Sequence, residues 1–174
     1  MVKIKDTNIY VGTKEEIKQA RKLGMNIVCA LNRAPREPGI WTHQSVVGWT
    51  GRGCNKDNPY YLYKEYEDAI FLNMIDGDDP AYISDKMINA ALNFMKEKLN
   101  EDKDVFIYCS LAESRSPSIA FIYLLENEII SKDMEFAEAI TVFGKEYYPK
   151  YKPCMGNILY IKNRYFKKSE ENKE

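Results

Sequence analysis

The chain has 174 residues, of which 45% are apolar, and its formal net charge is −1 at pH 7. That length suits one domain with a sizeable core, and the balance of charge excludes both a disordered segment and a polycation. No apolar run approaches the ~20 residues needed to span a bilayer, so no membrane association is expected.

Asn8-Ile9-Tyr10-Val11-Gly12 reads as a first strand. Thr13-Lys14-Glu15-Glu16 has the form of a capping box opening a helix that stops near Gly24. Asn26 to Leu31 is a second strand, in which Cys29 reads as a small buried apolar residue. Residues 32–67 lack clear periodicity and are rich in Gly, Pro and aromatics, a length that in a compact domain marks a functional or disordered loop. This stretch carries Arg33, Arg36, Trp41, His43, Trp49, Arg52 and Lys56. Cations interleaved with stacking surfaces can grip single-stranded nucleic acid. The balanced overall charge favours instead a loop packed over the sheet edge with half-buried tryptophans, and His43 as a loop residue.

Residues 68–75 form a third strand that runs into Asp76-Gly77-Asp78-Asp79-Pro80, a turn with three carboxylates. Ser84 caps a helix reaching about Leu99, and residues 104–108 are a short buried strand. The next helix covers Ser116 to Asn127, with Pro117 expected at its first position. Ser131 or Asp133 caps another helix to about Phe143, with Phe136, Ala139, Ile140 and Phe143 at helical spacing. Tyr147-Tyr148-Pro149-Lys150-Tyr151 is an aromatic turn expected to pack in the core, and the last helix runs from about Met155 to Phe166. The charged residues 167–174 read as a frayed tail. Alternating strands and helices predict a single α/β domain over residues 1–166, with a central, largely parallel sheet flanked by helices and ligands bound at its carboxyl edge.

One stretch carries chemistry. Cys109-Ser110-Leu111-Ala112-Glu113-Ser114-Arg115-Ser116 lies between the buried strand and the helix, with five residues separating thiol from guanidinium. Backbone N–H groups of a loop curled at a helix start, together with the helix dipole, favour a dianion. Arg115 can hold two oxygens of such an anion through its planar fork. The same positive field favours the thiolate of Cys109, the form that attacks. Ser116 can donate a hydrogen bond to that sulfur, and Ser114 supports the loop. A leaving oxygen needs a proton, for which Asp76 at the strand end is favoured, with Asp78 and Asp79 as alternatives.

The run from Tyr108-Cys109 to Arg115-Ser116-Pro117, followed by the apolar helix ending Ile122-Tyr123-Leu124-Leu125, resembles the signature of the dual-specificity branch of the cysteine-dependent protein tyrosine phosphatases. The resemblance extends to Asn8–Gly12 as an opening strand and to the segment from Asp76 to Met95 as an acid loop and following helix. It implies a phosphatase domain over residues 1–166, hydrolysing phosphomonoesters through a cysteinyl-phosphate and needing no cofactor or metal. Under it Cys109 is the nucleophile, Arg115 the clamp, Asp76 the acid and then base, and Ser116 the aid to thiolate departure. Ser110, Leu111, Ala112, Glu113, Ser114 and Arg115 line the phosphate loop. Two residues depart from the family pattern: Tyr108 stands for a histidine and Ala112 for a glycine. Glu113 adds a carboxylate beside the anion site. Lys162-Asn163-Arg164-Tyr165 matches a phosphotyrosine-recognition tetrapeptide of larger family members, but it falls in the C-terminal helix and reads as coincidence.

A phosphorylated protein residue is the expected substrate. The alternatives are a nucleic-acid 5′-phosphatase and a catalytically weak phosphate-binding module. Cys29, Cys54, Cys109 and Cys154 are scattered, with no C-x-x-C pair and only one histidine, which argues against structural zinc. Met1-Val2-Lys3-Ile4-Lys5-Asp6 lacks the apolar core of a signal segment, so a reducing cytoplasm and free thiols are expected.

Overall fold

The computed structural model describes residues 1–166, so the expected tail at 167–174 lies outside the described residues. Six strands form one sheet: β1 (Val2–Lys3), β2 (Ile9–Thr13), β3 (Asn26–Cys29), β4 (Tyr63–Glu65), β5 (Ala69–Leu72) and β6 (Val105–Cys109). Their order is β1-β2-β6-β3-β5-β4. The four inner strands are parallel, and each short edge strand runs antiparallel to its neighbour. Every residue of β3, β5 and β6 is buried, as parallel strands covered on both faces require.

Strand alternation sends the side chains of β6 to two different cores. Phe106 and Tyr108 face α1 (Ile17–Lys22) and α2 (His43–Val47), packing with Ile17, Ala20 and Val46. Val105, Ile107 and Cys109 face the larger core beneath α3 (Asp85–Asn100), α4 (Arg115–Glu126), α5 (Phe136–Val142) and α6 (Met155–Tyr165). Parallel register sets Thr13 beside Cys109, and Cys29 beside Tyr108 and Phe71, so the carboxyl ends of β2, β6, β3 and β5 finish along one rim. The loops that follow converge there.

Local signals were obeyed where they were strong. The Thr13 N–H and Oγ1 both donate to Glu16 Oε1, at 3.0 and 3.3 Å, and the turn leads into α1, which ends before Gly24 at φ +71°. Ser84 Oγ accepts from Lys86 N–H at 3.2 Å and opens α3. Three expectations need correction. Pro117 is the third residue of α4, not the first, because Arg115 and Ser116 already belong to the helix. Neither Ser131 nor Asp133 caps α5; Ser131 Oγ accepts from Asp133 N–H in a separate turn, and the helix starts only at Phe136. The stretch 32–67 contains α2 and the edge strand β4 in addition to loop.

That stretch is held by its one histidine. Trp49 Nε1–H donates to His43 Nδ1 at 2.9 Å, so the ring proton sits on Nε2 and is donated to the Tyr60 carbonyl at 2.6 Å. His43 is fully buried, and burial pushes its pKa below the ordinary value. Thr42 Oγ1 accepts from Ser45 N–H, and Ser45 Oγ accepts from Thr42 N–H, which fixes the start of α2. Trp41 is half exposed beneath the Arg21 guanidinium, 4.8 Å from its ring centre. Among the described residues no helix is long and apolar enough to cross a membrane.

Candidate active site

Cys109 is the last residue of β6 and Arg115 the first of α4, so strand and helix fix the two ends of the loop between them. The thiol at the end of β6 is met twice by one residue of α4. Ser116 Oγ lies 3.1 Å from Cys109 Sγ, and the Ser116 N–H donates to the same sulfur at 3.4 Å. Both contacts come from the first turn of α4, whose free N–H groups and dipole favour negative charge.

The loop is braced from outside. The Ala112 carbonyl accepts from Tyr148 Oη–H at 2.6 Å, and the Glu113 carbonyl accepts from Lys152 N–H at 2.8 Å. The peptide bonds of this loop are trans, so the N–H groups of Glu113 and Ser114 point to the opposite side of the loop from those partners. Neither N–H has a protein acceptor among the described residues. Ser114 Oγ accepts twice at 2.8 Å, from Cys154 N–H and from Asn157 Nδ2. Ala112 adopts φ +57°, the left-handed conformation that glycine takes without a Cβ penalty, and its methyl is buried in the core. The aromatic turn expected to be core is also the back of this loop: Tyr151 packs edge-on at 4.9 Å from Phe143, and its hydroxyl lies 2.7 Å from Ser118 Oγ.

Arg115 is oriented by residues that follow two other strands, β3 and β5. Its Nη1 donates to Asn32 Oδ1 at 3.1 Å and to the Met74 carbonyl at 3.2 Å. Among the described residues its Nε and Nη2 have no protein acceptor, which leaves one edge of the fork for an oxyanion. Cys109, Ser110, Leu111, Glu113, Ser114 and Arg115 line a pocket of about 220 Å³ together with Asp76, Lys152, Pro153 and Cys154. Of the three carboxylates in the acid turn, only Asp76 lines this pocket. Asp79 is occupied as a cap, accepting from Ala81 N–H at 2.9 Å. The side chain of Ala112 does not line the pocket.

Tyr108 is on the other face of the sheet from Cys109 and donates its hydroxyl to the Trp41 carbonyl at 2.6 Å. The sulfur therefore has no Tyr108 contact, and the phenol lies in the opposite core. Burial pushes the Cys29 thiol there up to about 12, an unreactive group. Arg36, Arg52 and Lys56 are exposed and do not line the pocket, and Arg33 donates to the Gly51 carbonyl at 3.5 Å. Arg164 of the coincidental tetrapeptide ties α6 to α3 and α4, through Asp85, Asn89 and Glu126. Among the described residues no group of three or more His, Cys, Asp or Glu side chains could hold a metal ion.

Several residues of the site gave no signal in the sequence. Asn32 orients the arginine, and Asn157 reaches both Ser114 and Asp76. Lys14 is buried with its Nζ 3.1 Å from Ser110 Oγ, flanked by Glu37 at 3.2 Å and Glu15 at 3.5 Å. Burial alone would lower the Lys14 ammonium, but the two carboxylates outweigh it and raise it. Lys14 could have been placed only by knowing that Thr13 pairs with Cys109.

No family model and no curated protein sequence matches the chain. Solved structures do. Human DUSP28 aligns over 95% of this chain and 96% of its own, at 14% identity and a TM-score of 0.57. DUSP15 aligns over 98% and 90%, at 13% identity and a TM-score of 0.62. PTP-2 phosphatase of Cydia pomonella aligns over 93% and 88%, at 18% identity and a TM-score of 0.57. The chain thus has the dual-specificity phosphatase-like fold of these solved structures.

Proposed function

We propose that the protein is a cysteine-dependent phosphatase acting on phosphomonoesters, with a phosphorylated protein residue as its substrate. The observation that carries this reading is a sulfur held at 3.1 Å by Ser116 Oγ, in one pocket with Arg115 and Asp76. In the first step the Cys109 thiolate attacks phosphorus and the bond to the leaving oxygen breaks. Asp76 gives its proton to that oxygen. In the second step Asp76 takes a proton from water, the water oxygen attacks phosphorus and the S–P bond breaks. The Ser116 hydroxyl donates to the departing thiolate. The transferring oxygens are met by the Glu113 and Ser114 amides and the open edge of Arg115, donors already in place before the reaction begins.

Hydrolysis of a small aryl phosphate by the wild type, and its loss in Cys109→Ser, is the expected result. Turnover retained by Cys109→Ser, or anion binding with no turnover in the wild type, overturns the reading. A panel of phosphotyrosine, phosphoserine and phosphothreonine peptides beside triphosphate-ended RNA assigns the substrate. Preference for the RNA, with the steep salt dependence of phosphate contacts, would replace the protein substrate with a nucleic-acid end.

A further inference from the structure

Asn157, the third residue of α6, is buried to within 1% of its surface between the two loops that make the site. Its Nδ2 donates to Ser114 Oγ at 2.8 Å and faces Asp76 Oδ1 at 3.5 Å. The amide stands with its nitrogen toward Asp76, the orientation suited to the ionised carboxylate left once the proton has been given, which can only accept. Among the described residues the Oδ1 of the same side chain, which is buried, has no partner. An apolar side chain of this size would fill the space without stranding an acceptor, so packing alone does not account for an amide here.

The preceding residue grips the same loop. Gly156 N–H donates to the Gly77 carbonyl at 2.9 Å, and a Cβ at Gly156 would fall 2.4 Å from that oxygen. No residue with a side chain can occupy this position without moving the turn that carries Asp76. The start of α6 thus holds the acid turn by its backbone at Gly156 and spans from that turn to the Cys109–Arg115 loop by one side chain at Asn157.

We infer that Asn157 is a positioning residue that sets the Asp76 carboxyl in register with the Cys109–Arg115 loop, and so with the leaving oxygen of the substrate. The inference rests on the reading of Cys109 and Asp76 above. A proton donor displaced by about 1 Å loses on the order of 100-fold in rate, but only for a leaving group that needs the proton. Asn157 therefore governs which leaving groups the enzyme tolerates.

The test is kcat across aryl phosphates whose leaving phenols run from good to poor, in wild type, Asn157→Leu and Asn157→Gln. For Asn157→Leu the expected loss is about tenfold or more with the poorest leaving group and under about twofold with the best, a split that a loosened fold would not produce. In an Asp76→Asn background the Leu substitution should add nothing. Equal losses along the series, or no loss, overturn the inference. Amide hydrogen exchange over residues 76–79 reads the same contact without turnover: faster exchange in Asn157→Leu supports it and unchanged exchange overturns it. A wild type with no Cys109-dependent turnover would sink the phosphatase reading, while the exchange arm would still decide the role of Asn157 in holding the turn.

Discussion

Tyr148 donates a 2.6 Å hydrogen bond to the carbonyl of Ala112, the residue of the Cys109–Arg115 loop that adopts a left-handed backbone. The phenol comes from the turn after α5, so a distant segment decides where a carbonyl of this loop points. Turning that carbonyl outward is what turns the next N–H to the other side. Tyr148→Phe keeps the ring in its place 6.5 Å from Phe143 and strands a buried carbonyl. The expected cost is about 1–2 kcal/mol, a fall of a few degrees in Tm. Inhibition by inorganic phosphate should weaken along with it. Calorimetry beside an inhibition assay checks both, and an unchanged phosphate affinity would show that the loop holds its shape without the phenol.

Ala112 at φ +57° pays for a conformation that glycine adopts freely, yet its methyl is buried. Relief of left-handed strain, about 1–2 kcal/mol, opposes loss of a buried methyl and of unfolded-state restriction, each about 0.5–1 kcal/mol. Ala112→Gly should therefore leave stability within about 1 kcal/mol and retain turnover. Ala112→Val, β-branched in the same conformation, should cost more than about 2 kcal/mol. Chemical denaturation of the two variants separates them.

The parts of this molecule that local rules govern were legible in its sequence. The Thr13 and Ser84 caps, the Gly24 stop and the Cys109–Arg115 spacing each act over a few residues, and each stands where expected. Contacts between distant segments left no such trace. Nothing in the Trp-rich stretch announces that His43 joins Trp49 to Tyr60, and β4 is only three residues long, too short for alternation to show. The choice among Asp76, Asp78 and Asp79 depends on a turn in which Asp79 caps its own 3-10 segment and Asp76 alone reaches the pocket. Strand alternation could have shown that Tyr108 and Cys109 face opposite ways, since adjacent residues of a strand always do.

That turn gives a paired prediction. Asp79→Asn keeps a good cap for the Ala81 N–H and should change kcat less than about threefold. Asp76→Asn should lower kcat by about 100-fold for a poor leaving group, and the limb of the pH–rate profile set by the acid should vanish. Steady-state kinetics across pH on both variants decides it. The opposite pattern would move the acid to Asp79.

Asn32, three residues past the end of β3, holds Arg115. Its Oδ1 accepts from Arg115 Nη1 at 3.1 Å, one of two bonds that fix the guanidinium plane, the other coming from the Met74 carbonyl. Asn32→Ala leaves the charge in place but frees the plane to rotate. Loss of one hydrogen bond to a charged group, about 1.5–3 kcal/mol, should appear chiefly as weaker oxyanion binding, on the order of tenfold or more. Phosphate or tungstate inhibition measures it. Asn32→Asp should orient the guanidinium but oppose the bound dianion, so it too should weaken inhibition, increasingly as salt is lowered.

His43 gives the stretch 32–67 a pH dependence whose sign is fixed. The neutral ring both accepts from Trp49 and donates to Tyr60, and burial holds its pKa below the ordinary value of 6.5. Protonation puts a hydrogen on Nδ1, where the Trp49 N–H already points, and places an unpaired charge in a buried site. The unfolded chain binds the proton more readily, so the full contribution of His43 to stability is present above pH 6.5 and is lost as pH falls below it toward the depressed folded value. Tm should therefore drop between about pH 7.5 and about pH 5.5, spanning the ordinary histidine range. His43→Gln cannot titrate, so that share of the drop should disappear even though the variant starts lower. The first segment to open should be residues 42–60, because the ring and both of its partners lie in it. Hydrogen exchange at the two pH values checks the location. An equal fall of Tm in wild type and His43→Gln would assign the sensitivity to other groups.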